Sequence, residues 1–289
     1  MSHARIWSVG AFAFASAYKS MSKRLTGKVA IVTGAGGGFG RAIAARFAEE
    51  GAAVAVTART QSQLDETVAQ ITSRGGRAMA VAGDATSRAD VARVVAETER
   101  QLGPISILVS NAGVPGPFGP IGEIDPDEWW AAQAVHLRAP MLFTSAVLPQ
   151  MKSRREGSIL LICSSRAKMV TPNLSAYCLG KTAQARFVEL LAVEVKELGI
   201  TAVAVDPGSA ITPMAEATIH SPGAQRWMPE MVANLRRMLA QGSGSRRPGG
   251  PIDFQLEKCA QRCVEIAAGQ HPDWNGMYIG RNETADEWK

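Results

Sequence analysis

The chain of 289 residues lacks several features that would assign it to a particular class of protein. No apolar run approaches about eighteen residues, which excludes a transmembrane helix in its body. Only four cysteines are present, without CxxC spacing, and the four histidines are scattered, which argues against a disulfide scaffold and a metal site. The net charge of +5 is spread without Lys/Arg blocks, which argues against a nucleic-acid partner. With 46% hydrophobic and 20% charged residues, we expect a soluble, intracellular, globular protein.

The first 27 residues also lack acid, because no Asp or Glu occurs before Glu49. They carry four basic residues around a short apolar stretch, residues 9–18. An acid-free leader of this kind fits a mitochondrial transit peptide, a weak secretory signal, a disordered extension or a translation start at Met21. We favour the last two interpretations and therefore a cytoplasmic location, with a mitochondrial one as the alternative.

From Lys28 onward, short apolar runs alternate with helical patterns of ten or more residues. This alternation predicts βαβ units and a Rossmann-type, doubly wound parallel sheet of about seven strands in one domain, residues 28–283. A short tail, residues 284–289, follows. Residues 214–251 break the rhythm with Met, Trp227 and a Gly/Ser-rich loop, which we interpret as a substrate lid or as a surface insertion. The predicted strands are residues 29–32, 53–57, 78–81, 105–109, 159–162, 202–205 and 277–279.

A glycine-rich turn, Thr33-Gly-Ala-Gly-Gly-Gly-Phe-Gly40, lies between the first strand and the first helix. Glycines allow a tight turn and a close approach of the backbone to a pyrophosphate, which then lies at the positive end of the helix. The spacing of Gly34, Gly38 and Gly40 is GxxxGxG. Placed between a strand and a helix, this turn predicts a dinucleotide site.

The end of the second strand normally meets the ribose of such a nucleotide. An acid there would bind the 2′-hydroxyl, but this chain has Ala58 followed by Arg59. Since a guanidinium grips a phosphate with its planar fork, we predict NADP(H), with NAD(H) as the alternative.

Tyr177-Cys-Leu-Gly-Lys181 places a phenol and an ammonium one helical turn apart. A nearby cation favours the phenolate, so this tyrosine could give or take a proton near neutral pH. The pair alone is a weak signal, and its position after the fifth strand, close to Ser164, strengthens it.

Taken together, these motifs resemble those of the short-chain dehydrogenase/reductase family, over residues 28–281. The turn resembles that family's TGxxxGxG loop, Ser110-Asn-Ala-Gly113 its NNAG motif, and Asp206-Pro-Gly-Ser-Ala-Ile-Thr212 its PGxxxT segment. The resemblance implies Ser164, Tyr177 and Lys181 as catalytic residues. Among the serines, Ser164 has the family's spacing to Tyr177, with Ser165 as the reserve candidate. The implied cofactor-binding residues are Thr33, Gly34, Gly38, Phe39, Gly40, Arg59, Asp84, Asn111, Ala112, Gly113, Tyr177, Lys181, Pro207, Gly208 and Thr212, with Asp84 at the adenine ring.

Two departures from the family pattern stand out. Where the family has an asparagine that supports a water in the proton path to the lysine through its backbone, this chain has His136. Histidine could do the same or relay a proton itself, and it could also be purely structural. The ending, residues 274–283, lacks the glycine pair that the family has there. The resemblance implies a homo-oligomer, either a dimer or a tetramer.

The sequence therefore predicts an NADP(H)-dependent oxidoreductase that interconverts a ketone or aldehyde and an alcohol, without a metal. Ser164 would steady the carbonyl oxygen, Tyr177 would protonate it, and Lys181 would hold the nicotinamide ribose and keep the tyrosine acidic. The apolar lid residues favour a lipophilic small molecule as the substrate. The alternatives are an NAD-dependent secondary-alcohol dehydrogenase and a non-catalytic dinucleotide sensor or scaffold. The apolar residues of the predicted lid are Met214, Ile219, Trp227, Met228, Met231 and Leu235.

Overall fold

The computed structural model describes residues 23–241 and 254–280, and the backbone of residues 285–286. Residues 1–22 of the leader, the glycine-rich part of the predicted lid and most of the tail lie outside these residues. The sheet has the strand order β3-β2-β1-β4-β5-β6-β7-β8, in which β1 to β7 run parallel. The strands are β1 Val29–Thr33, β2 Ala53–Thr57, β3 Arg77–Ala80, β4 Ile107–Ser110, β5 Gly157–Ile162, β6 Ile200–Val205, β7 Tyr278–Ile279 and β8 Ala285–Asp286.

The prediction of a doubly wound parallel sheet with seven strands is confirmed, and an eighth, two-residue strand is added. This β8 pairs antiparallel with β7. Its two residues carry no apolar run of their own, so the pattern that revealed the other strands could not reveal this one.

Helices cover both faces of the sheet, so the central strands are buried on both sides and are continuously apolar. The helices are α1 Gly38–Glu49, α2 Gln61–Thr72, α3 Arg88–Leu102, α4 Pro126–Gln133, α5 Ala139–Arg154, α6 Ser175–Val195, α7 Pro213–His220, α8 Pro222–Trp227, α9 Pro229–Ala240 and α10 Phe254–Ala267. Successive residues of β1 point to opposite faces: Val32 packs with α1, α2 and α10, and Ile31 packs with α3, α5 and α6.

The carboxyl ends of the strands meet at one edge of the sheet, and this edge positions the site. The strand order reverses at β1, which lies between β2 and β4. Such a reversal opens a crevice beyond the strand ends, where open α/β sheets bind ligands. Thr33 and Ser110 end β1 and β4, and Ile162 ends β5 in register with Val205 of β6.

Helices α7, α8 and α9 form a small subdomain over this edge. Their residues Ala224 and Val232 pack with Phe118 and Leu174 in a separate apolar cluster. The described part of the predicted lid is thus helical and seated on the body. No helix within residues 23–241 and 254–280 is long and apolar enough to cross a membrane.

Candidate active site

At Gly34 and Gly40, the glycine-rich turn packs so closely on its neighbours that a side chain cannot be accommodated. A Cβ atom at Gly40 would lie 2.5 Å from both the Gly34 carbonyl oxygen and the Asn111 Nδ2 atom. Gly34 itself has a φ of 64° and would bring a Cβ to 2.9 Å from the Ala112 Cα atom. The turn after β1 is therefore packed directly against the turn after β4.

Hydrogen bonds join these two turns. Asn111 Nδ2 donates to the carbonyl oxygens of Thr33 at 2.9 Å and Gly34 at 3.2 Å. In return, the Thr33 hydroxyl accepts from the backbone N–H groups of Asn111 and Ala112, both at 3.0 Å. Thr33 and Asn111 are thus engaged with one another, and they hold the glycine-rich turn in shape.

A cleft of about 1000 Å³ opens above these turns. Gly37 precedes α1 and provides no side-chain cap, so the first N–H groups of this helix face the cleft uncapped. Oriented N–H groups at a helix start favour an anion such as a pyrophosphate. Of the predicted cofactor-binding residues, the following line the cleft: Thr33, Gly34, Gly38, Phe39, Arg59, Asp84, Asn111, Ala112, Gly113 and Thr212.

The remaining predicted cofactor-binding residues lie outside this lining. Gly40 is buried inside α1, and Pro207 and Gly208 follow the end of β6. The Gly208 N–H group donates to the Asp206 carboxylate at 3.0 Å, which shapes the turn. Tyr177 and Lys181 belong to a second cluster, described below.

Two charged side chains line the cleft wall beyond β2 and β3. Arg59 is exposed, and its guanidinium has no hydrogen bond or ion pair with any residue that the structure describes. Asp84 is exposed as well, and its carboxylate accepts from the backbone and hydroxyl of Thr86, both at 2.8 Å. Arg59 is therefore available for an anionic ligand, and Asp84 is fixed in orientation.

Ser164 and Tyr177 meet beside the cleft. Ser164 lies just beyond β5, where its hydroxyl also caps a short 3₁₀ turn, and Tyr177 lies in the first turn of α6. The Ser164 hydroxyl is close enough to the Tyr177 phenol to act on its pKa. Burial raises the pKa of Tyr177 to about 12, and the Ser164 hydroxyl opposes this rise. The sequence led us to expect a lowered pKa, but burial outweighs the effect of Ser164 and leaves a protonated phenol at neutral pH.

Lys181 lies below Tyr177 and is only 4% exposed. Its ammonium lies 5.7 Å from the centre of the Tyr177 ring and donates to the Ile162 carbonyl oxygen at 2.7 Å and to Gln184 Oε1 at 3.0 Å. Burial lowers the pKa of Lys181 to about 8. The predicted serine, tyrosine and lysine are thus brought together around the end of β5.

His136 lies on the opposite side of this cluster, in a π-helical turn, Ala134–Arg138, between α4 and α5. Its ring meets the Tyr177 ring edge-on, with centroids 5.5 Å apart, and its Nε2 atom is 2.8 Å from the Val114 carbonyl oxygen. Because a carbonyl only accepts, Nε2 carries the proton. Burial, and then the charge of Lys181, lower the pKa of His136 to about 3, so the ring is neutral.

Two glutamines and a buried arginine near the site were missed from the sequence. Gln184 bridges Lys181 and the His136 main chain, whose carbonyl oxygen accepts from Gln184 Nε2 at 2.8 Å. Gln255 packs on Gly208, and Arg262 donates to the Asp206 carbonyl oxygen at 3.4 Å. The only available signal was a polar residue on the apolar face of a predicted helix.

Comparison with known proteins identifies similar chains. A family model described as short chain dehydrogenase matches residues 28–222. A short chain dehydrogenase of Pseudocercospora fijiensis is 34% identical over 251 residues, which cover 86% of this chain and 80% of that protein. A solved dehydrogenase/reductase from Sinorhizobium meliloti is 30% identical, with a TM-score of 0.72 and coverage of 90% of this chain and 95% of that chain. A 3-ketoacyl-(acyl-carrier-protein) reductase from Brucella melitensis, complexed with NADH, is 27% identical with a TM-score of 0.73, covering 89% and 97%.

Proposed function

The chain belongs to the short-chain dehydrogenase/reductase family, and from this premise we propose that it is an NADP(H)-dependent oxidoreductase of a lipophilic ketone or aldehyde and the corresponding alcohol. The observation that carries the proposal is the grouping of Ser164, Tyr177 and the buried Lys181 around the end of β5, beside the large cleft. A hydroxyl pair of this kind suits a carbonyl oxygen that must be held and then protonated.

The cleft fits a nicotinamide dinucleotide. Gly34, Gly36, Gly37 and Gly38 all line it, so no side chain separates a ligand from the N-terminus of α1. In the proposal, these backbone groups hold the pyrophosphate and Arg59 holds a 2′-phosphate. When bound, the nicotinamide supplies the hydride in reduction and takes it in oxidation.

The side chains of the cluster have distinct parts in the proposed reduction. The Ser164 hydroxyl donates a hydrogen bond to the carbonyl oxygen and stabilises the negative charge that develops on it. Tyr177 transfers its phenolic proton to the same oxygen as hydride arrives at carbon, which leaves a phenolate. The Lys181 ammonium stabilises that phenolate, because it lies 5.7 Å from the ring and water is largely excluded from it. Oxidation of an alcohol runs through the same steps in reverse.

The preference for NADP(H) rests on Arg59, since the described residues provide it with no acidic partner and Ala58 precedes it. The alternative cofactor is NAD(H), because the similar reductase from Brucella melitensis was solved with NADH. Fluorescence titration of the purified protein with NADPH and with NADH separates the two, because the proposal expects the tighter complex with NADPH.

The preference for a lipophilic substrate rests on the wall beside Tyr177. Phe118 and Leu174 form an apolar cluster, against which Tyr177, Met228 and Met231 pack. A ring-bearing or long-chain ketone would bury apolar surface on such a wall.

The decisive test combines the titrations with a screen of carbonyl compounds in which NADPH oxidation is followed. Tyr177→Phe is the control: it should bind NADPH as the wild type does and lose about 10²–10⁴-fold in turnover. If the protein binds nucleotide but reduces no carbonyl and oxidises no alcohol, a dinucleotide sensor is the better description. If it binds neither nucleotide, the proposal fails.

A homo-oligomer is also proposed, because apolar side chains are exposed along α5 and α6. Leu190 and Met141 are 59% and 53% exposed and line one groove together with Leu137 and Phe187. Covering this groove with a second copy would remove apolar surface from water. Light scattering coupled to gel filtration should report a dimer or a tetramer, and a monomer at micromolar concentration would contradict the proposal.

A further inference from the structure

Gln184 occupies a position between Lys181 and the main chain of His136. Its side chain is 1% exposed and lies on α6, three residues after the lysine. The amide oxygen accepts from the Lys181 ammonium at 3.0 Å, and the amide nitrogen donates to the His136 carbonyl oxygen at 2.8 Å. Both ends of the amide are therefore used, and the amide forms a continuous protein bridge where the family resemblance leads us to expect a water.

The groove that Leu137, Met141, Phe187 and Leu190 line is the outer part of a cavity of about 460 Å³, which lies on the far side of this bridge, between α5 and α6. His136 and Gln184 form its inner wall, while Met141, Phe187 and Leu190 line its outer part. Lys181 is not part of this lining, and it is 4% exposed. The Gln184 side chain therefore separates the Lys181 ammonium from the cavity.

We propose that Gln184 is a positioning residue, which holds the Lys181 ammonium through its amide oxygen and closes the passage between Lys181 and the cavity between α5 and α6. The inference rests on the proposed function, because it concerns the lysine of that site. An amide neither gains nor loses a proton near neutral pH, so no proton passes through Gln184.

The bridge also acts on the charge state of Lys181. A hydrogen bond to an amide oxygen favours the ammonium form, and it opposes the burial that lowers the pKa of Lys181 to about 8. The titratable groups that face Lys181 are Tyr177 from the same helix, Cys163 from the end of β5, and His136 from the π-helical turn. His136 is neutral at working pH, so the amide oxygen is an important partner of the charge.

The first experiment measures the pKa of Lys181 without any substrate, by ¹⁵N NMR of lysine-labelled protein, with the signal assigned by Lys181→Met. Gln184→Leu removes the acceptor at a similar volume and should lower the pKa by about one unit. Gln184→Glu keeps the shape, adds a negative charge and should raise it by about one unit.

The matched control is Gln133→Leu, which removes another buried amide, one that donates to the Ala176 carbonyl oxygen and does not contact Lys181. It should leave the pKa of Lys181 unchanged. A purely structural role for Gln184 predicts no shift, or shifts of the same sign in both variants, and either result would overturn the proposal. Circular dichroism establishes whether each variant is folded. If Gln184→Leu does not fold, the near-isosteric Gln184→Glu still tests the proposal.

The second experiment tests the closed passage through the exchange of the Lys181 ammonium protons with water, followed by NMR. Gln184→Ala opens space for water between Lys181 and the cavity and should accelerate this exchange by about tenfold or more, whereas Gln184→Leu should not. Equal rates in the alanine variant and the wild type would contradict the closure. If the protein binds nucleotide but the Gln184 variants show no NMR effect, this inference fails and the proposed function does not. If the NMR effects appear but the protein binds no nucleotide, the proposed function fails and this inference does not.

Discussion

Ser164 lies beside Tyr177 although one follows β5 and the other lies in the first turn of α6. The 3₁₀ turn Ser165–Ala167 and the following loop connect the two segments. The Ser164 hydroxyl opposes the rise in the Tyr177 pKa that burial causes. Of the two adjacent serines, Ser164 is therefore the one that we propose acts on the atom that Tyr177 protonates.

We predict that Ser164→Ala lowers turnover by about 10²–10³-fold, since it removes a donor aimed at the charge that develops on the carbonyl oxygen. NADPH binding should remain within about threefold of wild type, because Ser164 is not part of the lining of the large cleft. Steady-state kinetics with any carbonyl found in the screen, together with fluorescence titration, measures both quantities.

The matched control is Ser165→Ala, which truncates the neighbouring hydroxyl in the same turn. Its turnover should fall far less than that of the Ser164 variant. If the Ser165 variant proves the more damaged of the two, the assignment of the catalytic serine is wrong.

Arg59 should determine the choice of nucleotide. Arg59→Ala removes a guanidinium that faces the cleft, and we predict that NADPH binding weakens by about 10- to 100-fold, because charge-assisted bonds to a phosphate are lost. NADH lacks that phosphate, so its affinity should change little. Titration of both nucleotides measures the ratio directly.

Arg100→Ala serves as the charge-matched control for this variant. Arg100 lies in the last turn of α3 and pairs with Glu97, away from the cleft lining. It should leave both affinities unchanged at fixed ionic strength. Equal losses for NADPH and NADH in the Arg59 variant would show that the residue does not read the 2′-phosphate.

The packing of the glycine-rich turn makes a prediction about stability. In Gly40→Ala, the new methyl group would meet the Gly34 carbonyl oxygen and the Asn111 side chain at 2.5 Å. Since the first of these atoms is backbone, the turn itself must shift, and we predict a loss of about 3 kcal/mol in the free energy of unfolding together with loss of nucleotide binding. Urea denaturation and NADPH titration measure the two effects.

Gly122→Ala is the appropriate control, because a Cβ atom at Gly122 would meet no atom within 4 Å. This variant should unfold within about 0.5 kcal/mol of wild type. If Gly40→Ala behaves like Gly122→Ala, the contact between the turns after β1 and β4 is looser than the structure indicates.

The features that were predicted from the sequence are those that local patterns encode. Continuous apolar runs revealed the seven parallel strands, because strands buried on both faces tolerate few polar residues. The glycine-rich turn was evident because its chemistry is concentrated in eight consecutive residues. The spacing of Tyr177 and Lys181 and their position after the fifth strand pointed to a reactive pair close to Ser164, and the family resemblance implied a role for each of the three.

What the sequence did not reveal depends on contacts between distant segments. The bridge from Lys181 through Gln184 to the His136 carbonyl oxygen joins α6 to the π-helical turn, and no local pattern encodes such a contact. The direction of the Tyr177 pKa shift was also missed, since it depends on how deeply the phenol is buried. Local spacing showed the neighbouring cation but not the surrounding protein.

His136 makes the last prediction, which concerns the pH dependence of stability. Burial lowers its pKa from an ordinary value of 6.5 to about 3, so the unfolded chain binds a proton between these values that the folded protein does not. The free energy of unfolding is therefore unaffected by this histidine above pH 6.5, and it decreases as the pH falls from 6.5 towards 3. Each pH unit within this window lowers it by about 1.4 kcal/mol.

We therefore expect wild-type protein to lose about 3 kcal/mol more than His136→Asn between pH 7.5 and pH 4.5, as measured by urea denaturation at each pH. His220→Asn replaces an exposed histidine and should keep the steep dependence of the wild type. If the His136 variant is as acid-sensitive as the wild type, the imidazole takes up its proton within the folded protein. In that case His136 would carry a charge beside Lys181 near neutral pH, and a direct part in proton transfer would become the better interpretation of its position.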